Sequence, residues 1–451
     1  MAQISEITFE DLVKNQRIDA EYFQPAFLKL NHSLSHLANK KIGKIGYVTD
    51  GEHGAVELLG EGIRYLMAEN IHAGYVTIEG VRYVSETVHD KNKRASVKAG
   101  DILISIKGTL GVAAVAEKWL EPANLSRDVA IIKLKDRNFL PEYVCAYLMS
   151  HVGKIIALRE GSGGVQQMIT LGRLRELRVP KLEIAKQQKI ADLYREALAE
   201  NERFKSLYME AEDLLLKELE LQDFAPEWVV GYETDCSSIL NATRMDAEYF
   251  VPKYTILLNK IEHCSQPLLA LCSIGRGSMI SMEFYNENMG TPYLRGADFS
   301  SFELGSDKLI YIDPSFVPTN ETKVEEGDII FASIGSVGTT ALIRKEFSGS
   351  FISNNTGRIR VKSKDISSDY LQVVLRSAIG QAQFKREQTQ TAQPKISNDQ
   401  ISAIQIPVLA KPIRDKITKL AQESHASLSV SRQLLEDAKF EVEQLINDES
   451  K

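Results

Sequence analysis

RIDAEYFQP (17–25) and RMDAEYFVP (244–252) decide how this chain is built. Seven of the nine positions are identical, and the stretches lie 227 residues apart. Working outward, the same offset carries GDILISIKGTLG (100–111) onto GDIIFASIGSVG (327–338) and Leu125-Ser126-Arg127 onto Ile352-Ser353-Asn354. It also carries Tyr143 onto Tyr370, Arg159-Glu160 onto Arg386-Glu387, and LRELRVP (174–180) onto ISAIQIP (401–407). Between residues 42 and 97 the offset drifts by about a residue, and Tyr65-Leu66 meets Tyr293-Leu294. A unit this long is no solenoid repeat, where neighbours share one core. It predicts two similar domains, each able to bury a core of its own.

Length and composition agree with that. The chain has 451 residues, 43% of them hydrophobic and 25% charged, with 28 Gly and 13 Pro. Collagen-like and wholly disordered chains are excluded. No apolar run approaches the roughly 18–20 residues that cross a bilayer. The opening MAQISEITFEDLVKNQ has no basic stretch followed by an apolar one, so a cytoplasmic location and no membrane partner are expected. The four cysteines form no CxxC pair and read as free thiols.

Each unit divides into three parts. A lead-in of about 40 residues carries DAEYF. A mixed region follows, with β-type runs (DILISI, VAAVA, DVAIIKL; then KLIYI, DIIFASI, GRIRV) bounded by Gly, Asp and Pro. PEYVCAYLMS and SDYLQVVLRS read as helices between them, and Pro180 and Pro407 close the regions. The third part is a long helix. Ile190, Leu193, Ala197, Glu200, Phe204, Leu207, Ala211, Leu214, Glu218 and Leu221 recur at spacings of three and four, as a coiled-coil seam does. Ile417, Ala421, Ser424, Leu428, Ser431, Leu435, Ala438, Val442 and Leu445 repeat it, interrupted by the two serines. The simplest expectation is that the two helices pair as a spacer. The fold class expected is α+β. Two similar mixed α/β domains are separated by two long antiparallel coiled-coil helices, in a pseudo-two-fold internal repeat. The boundaries are 1–182, 183–224 (central helix), 225–409 and 410–451 (distal helix).

Charge is segregated. Net charge is −7, yet residues 91–182 hold 16 basic and 8 acidic residues, and 353–396 hold 8 and 3. The helix 183–224 holds 6 and 11. Two basic domains joined by acidic connectors suit a polyanion, because clustered Lys and Arg supply most non-specific DNA affinity.

Catalytic signatures are missing. The sequence has no GxxxxGK[ST], HExxH or GxSxG, and no strand-borne GxGxxG. No Pro-Pro occurs, which removes the Asn/Asp-Pro-Pro-aromatic segment of amino-methyltransferases. Asp313 with Glu321-Thr322-Lys323 resembles a nuclease metal site, but the first copy offers Glu, Arg and Ser there. The expectation is no catalytic residue, no metal and no cofactor.

With these motifs in hand, the chain resembles the specificity subunit of type I restriction–modification systems. The resemblance rests on the doubled order of domain then helix and on GDILIS-x-x-G-x-x-G. It rests too on the Ser-Arg-Asp and Ser-Asn-Asn turns (126–128, 353–355) and the Gly/Gln-rich stretches 161–180 and 389–407. Where the family often runs on into a second Pro and Glu-Gln, this chain has Lys186-Gln187-Gln188 and Pro412-Ile413-Arg414. The resemblance implies two target-recognition domains, each reading half of a bipartite double-stranded DNA sequence. It implies docking of two methyltransferase subunits that supply S-adenosylmethionine, and of a motor-nuclease subunit.

Residue type and loop context then nominate DNA contacts, since Arg and Lys read guanine, Asn and Gln read adenine, and hydroxyls hold phosphate. In the first copy these are Lys107, Thr109, Ser126, Arg127, Arg159, Ser162, Gln166 and Gln167. In the second they are Ser333, Ser336, Asn354, Asn355, Arg386, Gln390, Gln393 and Lys395. Positions that differ between copies, such as Arg127 against Asn354, are expected to read bases; the shared Arg159 and Arg386 are expected to clamp phosphate. DAEYF is expected to dock the lead-in. The rival readings are a metal-dependent nuclease and a coiled-coil scaffold with no DNA role.

Overall fold

The β-type runs become strands of stacked sheets in the computed structural model. It describes residues 4–449 apart from 16, 109, 162–167, 223, 225–230, 243, 287–288, 300–303, 305–308, 317–321 and 390. The chain forms two units, residues 1–202 with 427–451, and residues 203–426.

In the first unit the strands are β1 (Asn39–Lys41), β2 (Gly46–Asp50), β3 (Ile63–Leu66), β4 (Arg82–Val84) and β5 (Ile102–Ser105). They continue as β6 (Ala113–Val115), β7 (Ala123–Leu125), β8 (Val129–Leu134) and β9 (Arg178–Pro180). An antiparallel sheet runs β2-β8-β5-β6, a second runs β4-β3-β7 with β3 and β7 parallel, and β1 pairs with β9. Successive side chains of a strand point to opposite faces. Ile102, Ile104, Ala130 and Ile132 therefore face a helical core containing Tyr143 and Tyr147, while Leu103, Val129 and Ile131 face Leu66, Ala123 and Leu125 of the second sheet. With both faces covered, the stretch ILI (102–104) is apolar throughout instead of alternating.

The second unit repeats the plan. Its strands are β10 (Ser265–Pro267), β11 (Cys272–Arg276), β12 (Tyr285–Asn286), β13 (Thr291–Leu294) and β14 (Ile310–Ile312). They continue as β15 (Ile329–Ala332), β16 (Thr340–Leu342), β17 (Phe351–Ile352), β18 (Thr356–Val361) and β19 (Gln405–Pro407). The sheet β11-β18-β15-β16 stands for β2-β8-β5-β6, and β12-β14-β13-β17 for the second sheet. Ile329, Phe331 and Ile359 face helices; Ile330 and Ala332 face Leu294 and Ile352. The shared motifs have shared jobs. Tyr143 and Tyr370 donate to the carbonyls of Pro180 and Pro407 at 2.7 and 2.9 Å. Asp101 and Asp328 accept from the Lys98 and Glu325 N–H groups, closing the turns that contain Gly100 and Gly327, and hold Lys133 (2.5 Å) and Arg360 (2.7 Å).

The expected long helices span Ile184–Glu218 and Lys411–Glu449. In the first unit their stretches pair antiparallel: Lys189 meets Glu441 at 2.8 Å, and Ser431 Oγ donates to the Ala197 carbonyl at 2.7 Å. In the second unit Ser424 Oγ donates to the Phe204 carbonyl at 2.8 Å. The serines are thus buried members of the seam and not interruptions. The register expected for the central helix is corrected near its end: Tyr208, Leu215 and Leu219 are buried, whereas Leu207 and Leu214 are half-buried and Glu218 is exposed. Among the described residues no helix is long and apolar enough to cross a membrane.

Candidate nucleic-acid interface

The glycine loops after β5 and β15 are built alike. Gly108 and Gly335 adopt φ +80° and +81°, a left-handed conformation that favours glycine. Lys107 bridges Met168 and Ile334 bridges Lys395, each as an antiparallel pair. The Ile106 N–H donates to the Asp128 carbonyl at 3.0 Å, as Ser333 does to Asn355 at 2.9 Å. Ile169 and Ile396 donate to the carbonyls of Ile106 and Ser333 at 2.9 and 3.0 Å. Each unit thereby gathers a glycine loop, the turn 126–128 or 353–355, and the segment around 168 or 395.

In the first unit these segments line a cleft of about 520 Å³. Lys107 Nζ lies 3.5 Å from Asp128 Oδ1, and Arg127 Nε lies 3.9 Å from the same oxygen. The Arg127 side chain is 58% exposed. At the end of β2, Asp50 holds His53 at 2.8 Å and Arg94 at 3.4 Å, and Arg94 also donates to Thr49 Oγ1 at 2.5 Å. In the second unit Arg276, at the end of β11, donates from Nε to the Asn354 carbonyl at 3.0 Å and from Nη2 to Ser333 Oγ at 3.4 Å. Asn354, Asn355, Ser336, Gln393 and Lys395 are exposed. Asp50, His53, Arg94 and Arg276 escape a residue-by-residue reading of the sequence.

Three groups of nominated residues fare differently. Lys107, Arg127, Ser336, Asn354, Asn355, Gln393 and Lys395 come together on these loop clusters. Thr109, Ser162, Gln166, Gln167 and Gln390 lie outside the described residues, as does Glu321 of the nuclease-like pattern. Ser126 and Ser333 are buried in the frame, and Ser126 Oγ accepts from the Asp128 N–H at 3.4 Å.

Arg159 and Arg386 lie apart from the loop clusters, against the lead-in. Arg159 is only 7% exposed; its guanidinium lies 3.9 Å over the Tyr22 ring and donates to the Tyr22 carbonyl at 3.2 Å. Arg386 repeats this on Tyr249, at 3.9 Å from the ring and 3.3 Å from the carbonyl. Arg17 and Arg244 lie over the same rings at 4.9 and 4.5 Å, each held by an Asp two residues on. Each guanidinium thus anchors the lead-in, Arg159 nearly enclosed and Arg386 still 21% exposed. The DAEYF segments dock as expected, Tyr22 and Phe23 fully and Tyr249 and Phe250 partly buried.

Asp313 of the nuclease-like pattern accepts from Ser315 N and Oγ, at 2.8 and 2.6 Å, as a turn cap. Among the described residues no three His, Cys, Asp or Glu side chains gather as a metal site.

The model of the type I restriction modification DNA specificity domain matches residues 61–200 and 268–422, one match in each unit and together more than half of the chain. The chain belongs to this family. The specificity subunit of the type I restriction enzyme EcoBI of Escherichia coli is 25% identical over 130 residues, which are 29% of this chain and 27% of that protein. The matched part thus spans about a quarter of that relative. Among solved structures, the S subunit of a type I restriction-modification system from M. genitalium is similar, with a TM-score of 0.36 and 15% identity over 91% of this chain and 94% of that one. The HsdS subunit from Thermoanaerobacter tengcongensis gives a TM-score of 0.29 and 16% identity over 92% and 96%.

Proposed function

We propose that this chain is the non-catalytic, sequence-reading subunit of a cytoplasmic type I restriction–modification complex. Residues 1–182 and 225–409 are its two target-recognition domains, each reading one half of a bipartite double-stranded DNA target. The helices 183–224 and 410–451 space those halves. Two methyltransferase subunits dock on the chain and bring S-adenosylmethionine and the base-modifying chemistry; a motor-nuclease subunit joins for restriction. The observation that carries this reading is a shared backbone frame with unlike side chains. The same hydrogen bonds build both glycine-loop clusters, yet Arg127 and Asp128 stand where the second unit has Asn354 and Asn355. A common frame with different donors and acceptors is what two unlike half-sites require.

The test is selection of duplexes from a random library by the chain with its methyltransferase subunits. The expected result is a gapped consensus of two unlike parts, with affinity falling as salt rises. A single uninterrupted consensus, or none, overturns the reading.

A further inference from the structure

Asp50 and Arg276 occupy one and the same place in the two sheets. Asp50 pairs across to Ala130, and Arg276 pairs to Gly357, which is Ala130 shifted by the repeat. The next residue confirms the match. A Cβ on Gly51 would lie 1.8 Å from the Leu125 carbonyl, and one on Gly277 would lie 2.1 Å from the Ile352 carbonyl. Both strands therefore end against the turn that holds Arg127 or Asn354. One copy places a carboxylate there and the other a guanidinium, a reversal of charge on an unchanged frame.

The neighbouring positions change in step. The cation of the loop bridge sits on opposite strands: Lys107 faces Met168, while Ile334 faces Lys395. Arg127-Asp128 becomes Asn354-Asn355. In the first unit two carboxylates, Asp50 and Asp128, engage Arg94, His53 and Lys107, and Arg127 is left more than half exposed at the cleft. In the second unit both of those carboxylates are replaced. Arg276 spends its donors on the Asn354 carbonyl and on Ser333, bracing the turn from which both asparagines project.

We infer that these five paired positions, 50/276, 107/334, 127/354, 128/355 and 168/395, form an exchange set that gives the two half-sites different bases. The first unit reads guanine through the Arg127 guanidinium, whose fork matches O6 and N7. The second reads adenine through the carboxamides of Asn354 and Asn355, which match N6 and N7. Arg276 is a positioning residue acting through the Asn354 turn, and Lys395 is a point charge for phosphate. This inference rests on the DNA-recognition reading above and names the chemistry of its two halves.

The experiment grafts the second set onto the first unit. The full chain, assembled with its methyltransferase subunits, carries D50R, K107I, R127N, D128N and M168K, and a random duplex library is selected and sequenced. The expected result is that guanine preference in one half-site falls roughly tenfold or more. Adenine rises there, and the other half-site is unchanged. Because Asp50 is buried, a second variant keeps it and changes only the other four; it too must lose the guanine preference. Melting temperatures confirm that each variant is folded. A folded variant that selects the wild-type sequence in both halves overturns the exchange set while leaving DNA recognition standing. A wild-type chain that selects nothing overturns both.

Discussion

Arg127 and Arg159 bring one side chain to two opposite settings, and their substitution should separate the two. Arg127 projects from a turn, more than half exposed and 3.9 Å from Asp128, whereas Arg159 is enclosed by Tyr22 and the lead-in backbone. Arg127→Ala is expected to relax preference at one half-site and to cost roughly 1–3 kcal/mol of specific binding, with stability unchanged. Competition between cognate and singly substituted duplexes measures this; equal discrimination in the variant would remove Arg127 from the readout. Arg159→Ala should do the reverse. A desolvated cation over an aromatic face contributes about 2 kcal/mol, so its melting temperature should drop while the slope of affinity against salt stays as in the wild type. A flatter slope would restore the phosphate-clamp role. In sequence the two arginines look alike, because a guanidinium stacked on a tyrosine 137 residues away leaves no local mark. The Asp50/Arg276 pair is hidden for another reason: it falls where the repeat offset slips by one, so an alignment at constant offset sets Arg276 against Thr49.

The elements themselves are more legible. Burial on both faces makes ILI (102–104) and IIFA (329–332) continuous apolar runs, and the three-and-four spacing marks both long helices in the sequence itself. What spacing misreads is the small polar residue in a seam. Ser424 and Ser431 look like breaks, yet each is buried and donates to a carbonyl of the opposite helix. Ser431→Ala should cost about 0.5–1.5 kcal/mol through the lost hydrogen bond. Ser431→Leu should cost more, about 1–3 kcal/mol, because the larger side chain has no space in a closed seam. Denaturant unfolding of the two variants checks the order; a stabilising leucine would mean that the serine does interrupt the packing. The lead-in offers a pH dependence. Hydrogen bonding from Arg17 is the chief cause that holds the Asp19 carboxyl below its usual value. A depressed folded-state pKa stabilises docking fully above the unfolded value of about 3.9, and that contribution is lost as pH falls through the lower folded value. Amide protection across residues 17–25, measured against the intrinsic exchange rate at each pH, should therefore fall on acidification below about pH 4. Asp19→Asn should show that low protection at every pH, and an unchanged acid profile in that variant would assign the dependence to another group.

At the scale of the molecule, duplication is plain in the sequence but the composition of each unit is not. Repeated motifs at one offset announce two copies; nothing in a heptad pattern says which half of a long helix belongs to which core. The first unit takes residues 1–202 and closes them with 427–451 from the far end of the chain. Leu435, Ala438, Val442 and Ile446 of that segment share a core with Ile190, Tyr194 and Ala197, and Glu443 accepts from the His151 N–H at 2.6 Å. A fragment ending at residue 202 would leave that face of its helix bare, and exposed contiguous apolar surface drives association. The fragment is expected to self-associate and to melt below the intact chain. A peptide of residues 427–449 added in trans should return it to a monomeric complex and raise the melting temperature as the peptide concentration rises, since a ligand that binds only the folded state stabilises it by mass action. Light scattering and thermal unfolding across a peptide titration measure both effects. A fragment that is monomeric and as stable without the peptide as with it would mean that the first copy closes its core unaided. The distal helix would then be a spacer and no part of that core.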